Sequence, residues 1–569
     1  MLNSNDDKIP TPTPQDPVSL SDAELNMNGV NFQRYHSLVE MFETACRTYA
    51  RQTAFINMGQ SLSFQDLYNE SCAFASWLQN KTTANTGDRI AIMMPNCLQY
   101  PIALFAALQT GLVVVNVNPL YTPDELKHQL NDSGATLIVI MDNFAHTLQK
   151  VIKHTALRHV VVTALGDQFT WPKATAINFT VKYLKKLIKP WDIEGAHHWT
   201  DCLHQGRRCA FKSIRGTQAQ LAFLQYTGGT TGISKGAMLT HGNILANLEQ
   251  INASYSALLM DGIEKNVTAL PMYHIFALTV NCLYFIYKGG CNLLITNPYD
   301  ITALAKTLKH YPFTAITGVN TLYSGFLNSA SFMQLDFSHL KLAIAGGMAT
   351  AKPVAEQWAK LTGVYILEGY GLTECSPLVS ANPLAIGCHN GSIGQPVAGT
   401  SVKVLDLDHR ELTKGEPGEL CVKGPQVMMG YWNQPEATHQ VLDNVGWLRT
   451  GDIVTIDKSG FIRLVDRKKD MIIVSGFNVY PSEVEKVLLL HDAVAEVAVI
   501  GVPCEKTGEA IKVFVVLRRP NMTAQMLIDH CRQHLTGYKV PKDYQFMDAL
   551  PKSTVGKVLK RELKLLTVG

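Results

Sequence analysis

Short, mostly apolar runs alternate with helix-patterned stretches from Gly87 onward: GDRIAIMMP, then Pro101 to Gly111, then LVVVNVN, a second helical stretch, and ATLIVIM. Strands separated by helices cannot pair as hairpins, so this β-α-β-α-β order demands a parallel sheet with helices on its faces. The second helix carries its own punctuation. Thr122 and Glu125 have capping-box spacing, Pro123 takes the first helical position, and Gly134 follows the end. The alternation resumes in FTAITGVN, LKLAIAGG and VYILEGYG, apolar runs that close on glycine, as buried strands do where they meet functional loops.

Near residue 466 the pattern restarts on a smaller scale. Ser482 and Glu485 offer another capping box, followed by the strand-like VAEVAVIGV and IKVFVVL. A chain of 569 residues holds several domains of ordinary size, and the expected boundary lies between Asp466 and Asp470. The N-terminal MLNSNDDKIPTPTPQDP is polar and proline-rich, the opposite of a secretory signal, and reads as a flexible tail over 1–30. There is no internal repeat.

Composition excludes more than it selects. With 46% hydrophobic and 17% charged residues and a net charge of +3, the chain reads as an ordinary soluble globular protein, and nothing demands a nucleic-acid partner. Twelve cysteines form no C-x-x-C pair, so reduced cytoplasmic thiols are expected rather than a zinc ribbon or redox dithiol. The apolar stretch 102–117 is interrupted by polar residues and falls short of the roughly 18 to 20 residues that span a bilayer. Val181 to Trp191, VKYLKKLIKPW, interleaves cations with apolar and aromatic residues, a pattern suited to an anionic membrane surface; a solvated helix face is the favoured alternative.

The sharpest local signal is Tyr226-Thr-Gly-Gly-Thr-Thr-Gly-Ile-Ser-Lys-Gly236, placed after the apolar LAFLQ and before an expected helix. Its glycines let backbone N–H groups turn toward an anion, its threonine hydroxyls add donors, and Lys235 supplies a compact positive charge. ATP phosphates fit that chemistry. The common G-x-x-x-x-G-K-[ST] loop cannot be laid over these residues in any register.

This loop resembles the signature of the adenylate-forming superfamily of acyl-CoA synthetases, nonribosomal adenylation domains and luciferases. The family's other motifs follow in order: PMYHIFAL at 271–278, EGYGLTE at 368–374, GWLRTGD at 446–452, VDRKKDMIIVSGFNVYP at 465–481 and PKSTVGKVLKR at 551–561. YHIFALT, GVNTLY, VDRKKDM and LTGYKVPK are most similar to bacterial long-chain fatty acyl-CoA synthetases. The resemblance implies an α/β fold in which a large adenylation domain with mixed and parallel sheets, 31–466, joins a small mobile α/β domain, 471–569, through a hinge at 467–470. It implies a ligase that takes ATP, a long-chain fatty acid and coenzyme A, uses Mg2+, and works in the cytoplasm. Peripheral inner-membrane contact and a homodimer stay open.

By the same resemblance, Lys557 bridges acid and phosphate during adenylation; its plainer alternative is a solvated lysine among Lys552, Lys560, Arg561 and Lys564. Glu374 is expected to hold magnesium with help from Thr230 or Thr373, against the alternative of a helix cap. Tyr226, Thr227, Gly228, Gly229, Thr230, Thr231, Gly232 and Lys235 would hold the phosphates. Gly346, Gly347, Glu368, Gly369 and Tyr370 resemble the adenine pocket. Asp452 would accept the ribose hydroxyls with Arg467 nearby. His274, within an apolar helix-like stretch, borders the acyl and thiol channel in a positioning role. Lys469 matches the hinge, and Ser475 and Gly476 lie where pantetheine passes.

Departures from the family pattern are Ala345 for a usual glycine, Arg449 where histidine is common, and Val445 before Gly446. They bear on chain-length preference more than on reaction class. The alternatives are an aryl- or medium-chain acyl-CoA ligase, a fatty acyl-AMP ligase or nonribosomal module, and, from another class, an inactive lipid-binding homologue. The absence of a carrier domain after Arg561, and of an insertion in FIRLVDRKKDMIIVSG, weighs against the carrier-dependent members.

Overall fold

A seven-stranded sheet carries the alternation that begins at Gly87. Its order is His197–His198, His159–Thr163, Leu137–Met141, Arg89–Met93, Val113–Asn116, Leu221–Thr227 and Lys235–Thr240. Every neighbour is parallel except the last pair, a hairpin. The computed structural model describes residues 30–227, 234–475, 477–504, 506–519, 522–552 and 558–567. The helix expected after Thr122 spans Pro123–Ser133, with the reciprocal Thr122 and Glu125 cap formed and Gly134 left-handed at φ 62°, so local punctuation alone fixes this element.

The helix Gln99–Gln109 is buried at every residue. A helix apolar all round needs partners all round, and it packs against Phe64–Lys81 and the parallel strands. A nine-stranded sheet lies beyond, ordered Gln395–Pro396, Leu378–Ala381, Ile366–Gly371, Leu342–Ala345, Ala315–Gly318, Lys265–Thr268, Cys291–Leu294, Thr53–Asn57 and Gln60–Ser63, parallel at its centre and antiparallel at its edges. Buried amides tie the two sheets together: Asn96 Nδ2 donates to the carbonyls of Thr268 at 3.0 Å and Leu270 at 2.9 Å. Candidate loops therefore leave the carboxyl ends of parallel strands, where α/β sheets bind ligands.

A four-stranded antiparallel sheet, Ser401–Leu405, Gly418–Lys423, Leu448–Ile456 and Ile462–Arg467, leads to the C-terminal unit. That unit has a five-stranded sheet and its own core of Ile472, Val479, Leu488, Val499 and Val513.

Several expectations change. The loop after Tyr226 enters a strand, Lys235–Thr240, before the helix His241–Tyr255 begins, because Tyr226 to Thr240 closes a hairpin rather than a strand-to-helix turn. Ser482 and Glu485 form no capping box. Helix Pro481–Leu489 starts after Tyr480, the Ser482 N–H and hydroxyl both go to Asp466 Oδ2 at 2.8 and 2.9 Å, and Glu485 accepts from Val499 N–H. Residues 1–29 of the expected tail lie outside the described residues, whereas Val30, placed in that tail, is buried with Phe32 and Ala246. The segment from Val181 is helical only through Leu184. Among the described residues no helix is long and apolar enough to cross a membrane.

Candidate active site

The hairpin Leu221–Thr227 and Lys235–Thr240 sets Thr227 opposite Lys235 and Tyr226 opposite Gly236 at the ends of the candidate phosphate loop. Gly228, Gly229, Thr230, Thr231 and Gly232 lie outside the described residues. Both flanks are anchored. The Tyr226 hydroxyl donates to Asp132 Oδ2 at 2.5 Å, and burial together with that carboxylate pushes the phenol's pKa up. Trp432 Nε1 donates to the Asp132 carbonyl at 3.1 Å, and the His128 ring meets the Ser234 carbonyl at 3.1 Å. Helix Pro123–Ser133 thus buttresses one side of the loop.

On the other side, Met429 to Trp432 runs along the hairpin's open edge, with Met238 N–H donating to Gly430 O at 2.9 Å and Trp432 N–H to Gly236 O at 2.8 Å. Between these ties sits Tyr431. Its hydroxyl donates to Glu374 Oε1 at 2.7 Å, and Lys235 Nζ stands 5.1 Å from its ring centroid, within cation–π range. Glu374 and Thr373 occupy a short 3-10 turn at the carboxyl end of Ile366–Gly371. The Glu374 carbonyl accepts from Met428 N–H at 2.8 Å. Glu374 Oε2 meets no hydrogen-bond donor among the described residues, and among those residues no three His, Cys, Asp or Glu side chains cluster as metal ligands. One hard carboxylate oxygen fits Mg2+, which usually completes its shell with waters and phosphates.

Gly346 follows strand Leu342–Ala345, and a Cβ there would come within 3.0 Å of the Phe276 ring and 3.2 Å of the Gly369 carbonyl, so a larger residue would have to push these neighbours back by a few tenths of an ångström. Gly347 is left-handed at φ 80°. Glu368, on the neighbouring strand, is buried and accepts from Thr350 N–H at 3.1 Å, with His389 Nδ1 at 3.6 Å. Burial pushes its carboxyl from 4.5 to about 7, against the pull of the Thr350 hydrogen bonds. Tyr370 is buried and turns its hydroxyl to Asp452 Oδ2 at 2.6 Å, while Arg467 Nε, on the paired strand, meets Asp452 Oδ1 at 3.1 Å. Each Asp452 oxygen therefore has a protein partner and a second lone pair for a ribose hydroxyl.

His274 lies in the turn ahead of the helical stretch rather than inside it, and its carbonyl accepts from Leu278 N–H at 2.9 Å. The turn is held from below: Asn96 Oδ1 accepts from Met272 N–H, Tyr100 Oη donates to the Met272 carbonyl, and Gln225 Nε2 donates to the Tyr273 carbonyl. Lys469 lies in the 3-10 turn Lys468–Asp470, its pKa lowered by burial and by Arg467, while Lys468 Nζ meets Glu419 Oε2 at 2.8 Å. Ser475 is left-handed at φ 51°, and its N–H donates to Thr507 O at 2.8 Å. Gly476 and Lys557 lie outside the described residues. Sequence reasoning passed over Tyr431 and Asp132 and used Asp466 only to mark the domain boundary, not as the partner of Ser482; the aromatic pair in MGYWN was the available signal for Tyr431.

The model of AMP-binding enzymes matches residues 42–432, and that of the AMP-binding enzyme C-terminal domain matches residues 483–557. The chain is 58% identical to a long-chain-fatty-acid--CoA ligase of Escherichia coli O6:H1 over 94% of this chain and 95% of the relative. It is 52% identical to one of Haemophilus influenzae, over 93% and 95%. Among solved structures, ATP-bound MatB from Rhodopseudomonas palustris superposes with a TM-score of 0.80 at 26% identity, covering 93% of this chain and 98% of that one.

Proposed function

Because the chain belongs to the AMP-binding enzyme family, we propose that it joins a long-chain fatty acid to coenzyme A with ATP, through an acyl-adenylate. A carboxylate oxygen attacks the α-phosphorus and pyrophosphate leaves; the thiol sulfur then attacks the acyl carbonyl and AMP leaves. The first step brings two anions together, so it needs placed cations and donors. The observation that carries the reading is the convergence of Lys235 and Glu374 on Tyr431 at the mouth of the threonine-rich hairpin. The acid is taken from the relatives in Escherichia coli and Haemophilus influenzae.

In this reading the loop from Tyr226 to Lys235 holds the phosphates, with Thr230 and Glu374 holding Mg2+, which would neutralise phosphate charge. Gly346, Gly347, Glu368, Gly369 and Tyr370 frame the adenine, and Asp452 with Arg467 orients the ribose. Thr373 supports Glu374, and His274 positions the acid. Lys557 reaches across from the small domain, 471–569, and Lys469 is the pivot that withdraws it and lets coenzyme A pass Ser475 and Gly476. The polar join near Asp466 and Lys468 supports a hinge at 467–470.

Peripheral membrane contact forms part of the proposal. Trp171, Phe179, Tyr183, Leu184 and Leu187 are exposed, and 171–191 contains five lysines and no acidic residue, a combination that favours an anionic surface. Sedimentation with phosphatidylglycerol vesicles, weakened by salt, is the expected result.

The deciding assay is thioester formation across acids from acetate to oleate, with benzoate and coumarate included. Palmitate and oleate are expected to lead. A lead for benzoate or coumarate transfers the chain to the aryl ligases, and failure to release AMP and pyrophosphate with any acid leaves the lipid-binding reading.

A further inference from the structure

We propose that Tyr431 is a positioning residue of the adenylation step, a spacer that keeps the Glu374 carboxylate and the Lys235 ammonium apart and aimed at the nucleotide; this rests on the metal role of Glu374 given above.

The argument begins with what the tyrosine separates. A lysine and a glutamate at one loop mouth tend to collapse onto each other, and a closed ion pair offers less to a ligand than two free charges. Among the described residues Lys235 and Glu374 form no ion pair. Instead the Tyr431 ring face takes the ammonium, 5.1 Å from its centroid, and its hydroxyl takes Glu374 Oε1 at 2.7 Å. The ring has two chemically distinct positions for two charges of opposite sign. With Oε1 engaged, the glutamate gives up rotamer freedom before any cation arrives, and Oε2 is left for that cation.

The spacer is itself fixed. Tyr431 is 9% exposed, pairs with Ala237 in a β-bridge, and donates its N–H to Thr438 Oγ1 at 2.9 Å. A merely structural phenol needs only some acceptor; it does not need a lysine over its face and a candidate metal ligand at its edge.

The test separates the two contacts. Tyr431→Phe keeps the ring under Lys235 and drops the hydroxyl from Glu374; Tyr431→Leu drops both. Manganese binding to the ATP-saturated enzyme, read by electron paramagnetic resonance, should weaken about tenfold in Tyr431→Phe, the loss expected for one charge-assisted hydrogen bond. The magnesium requirement of palmitate-dependent ATP–pyrophosphate exchange should rise in parallel, with the rate at saturating metal within about twofold of the parent. Metal-free ATP affinity should hold in Tyr431→Phe and fall in Tyr431→Leu. Because the hydroxyl acts through Glu374, Tyr431→Phe/Glu374→Gln should bind manganese no worse than Glu374→Gln alone.

Unchanged manganese affinity in Tyr431→Phe, or additive losses in the double variant, overturns the proposal while leaving the metal role of Glu374 intact. If Glu374→Gln also binds manganese like the parent, the metal reading falls and this one with it. Should Tyr431→Phe lose its cooperative thermal transition, 4-aminophenylalanine at position 431 retains the ring and the donor. It is expected to bind manganese like the parent, and a tenfold loss there overturns the proposal as well.

Discussion

The hairpin that carries the candidate phosphate loop and the C-terminal unit that carries Lys557 are built on opposite plans. The hairpin is clamped by Asp132 and His128 of helix Pro123–Ser133 and by the strip Met429 to Trp432, and Trp432 Nε1 ties the two clamps together through the Asp132 carbonyl. The C-terminal unit has a separate core around Val499 and Val513 and meets the rest of the chain near residue 466 through polar contacts, Lys468 with Glu419 and Ser482 with Asp466. An apolar interface would have to be broken to move, whereas hydrogen bonds to water can replace these ties at small net cost. Under the proposed function, the difference divides the charge for adenylation into a standing half, Lys235 with Glu374, and a delivered half, Lys557.

The sharpest way to break that division is to remove the delivered charge. Lys557→Ala should slow palmitate-dependent pyrophosphate release by about 10²- to 10³-fold, the range for losing one placed charge-stabilising donor. Thioester formation from supplied acyl-adenylate should suffer far less. Equal losses in both half-reactions would mean that both regions act throughout and the division is false.

The large region that holds the standing half predicts a pH signature, carried by a different carboxylate. Glu368 lies in a buried, fixed setting that raises its carboxyl from 4.5 to about 7, so folding favours its protonated form. That stability is fully present below 4.5 and is lost as the pH rises through about 7, a slope worth up to about 3 kcal/mol at about 1.4 kcal/mol per unit. Glu368→Gln mimics the protonated state and can still accept from Thr350. It should flatten the fall in thermal stability between pH 5 and pH 8, and an unchanged slope would show that the pocket is wetter than its burial implies.

The joint between the regions is tested by Lys469→Pro. Proline fixes φ in the turn Lys468–Asp470, so the thioester step should slow roughly tenfold while pyrophosphate release changes less. Unaltered thioester formation would move the pivot elsewhere.

What the sequence made legible follows the range of each interaction. Thr122 and Glu125 cap their helix as their spacing indicated because both partners are three residues apart. The same spacing at Ser482 and Glu485 misled because Asp466, sixteen residues upstream, takes the Ser482 donors. The strands ending at Ala345 and Gly371 were readable from continuous apolar runs, and a buried parallel sheet leaves that mark. Tyr431 was not readable: its carboxylate partner is 57 residues away, and its cation comes from the hairpin. The order of motifs offered candidate residues for the site but gave no sign of the side chain that spaces Lys235 and Glu374.

Asp466 carries the smallest and most local prediction. Helix Pro481–Leu489 has no side-chain cap of its own; the N–H of Ser482, in its first turn, is satisfied by Asp466 Oδ2 at 2.8 Å, and the Ser482 hydroxyl adds a second bond at 2.9 Å. Because Asp466 precedes the 3-10 turn and the helix follows it, this cap is also a latch between the two regions. Asp466→Ala should destabilise the C-terminal unit by about 1 kcal/mol, the usual cost of losing a cap, with faster hydrogen exchange confined to residues 481–489. Asp466→Asn keeps an acceptor without the charge that favours a helix N-terminus, so it should lose less. If the latch holds the adenylating pose, Asp466→Ala should also raise the ratio of thioester formation to pyrophosphate release by a factor of about two to five, the effect of about 0.4–1 kcal/mol on a two-state equilibrium. Faster exchange with no change in that ratio would make Asp466 a cap and nothing more, and the two regions would then separate at some other contact.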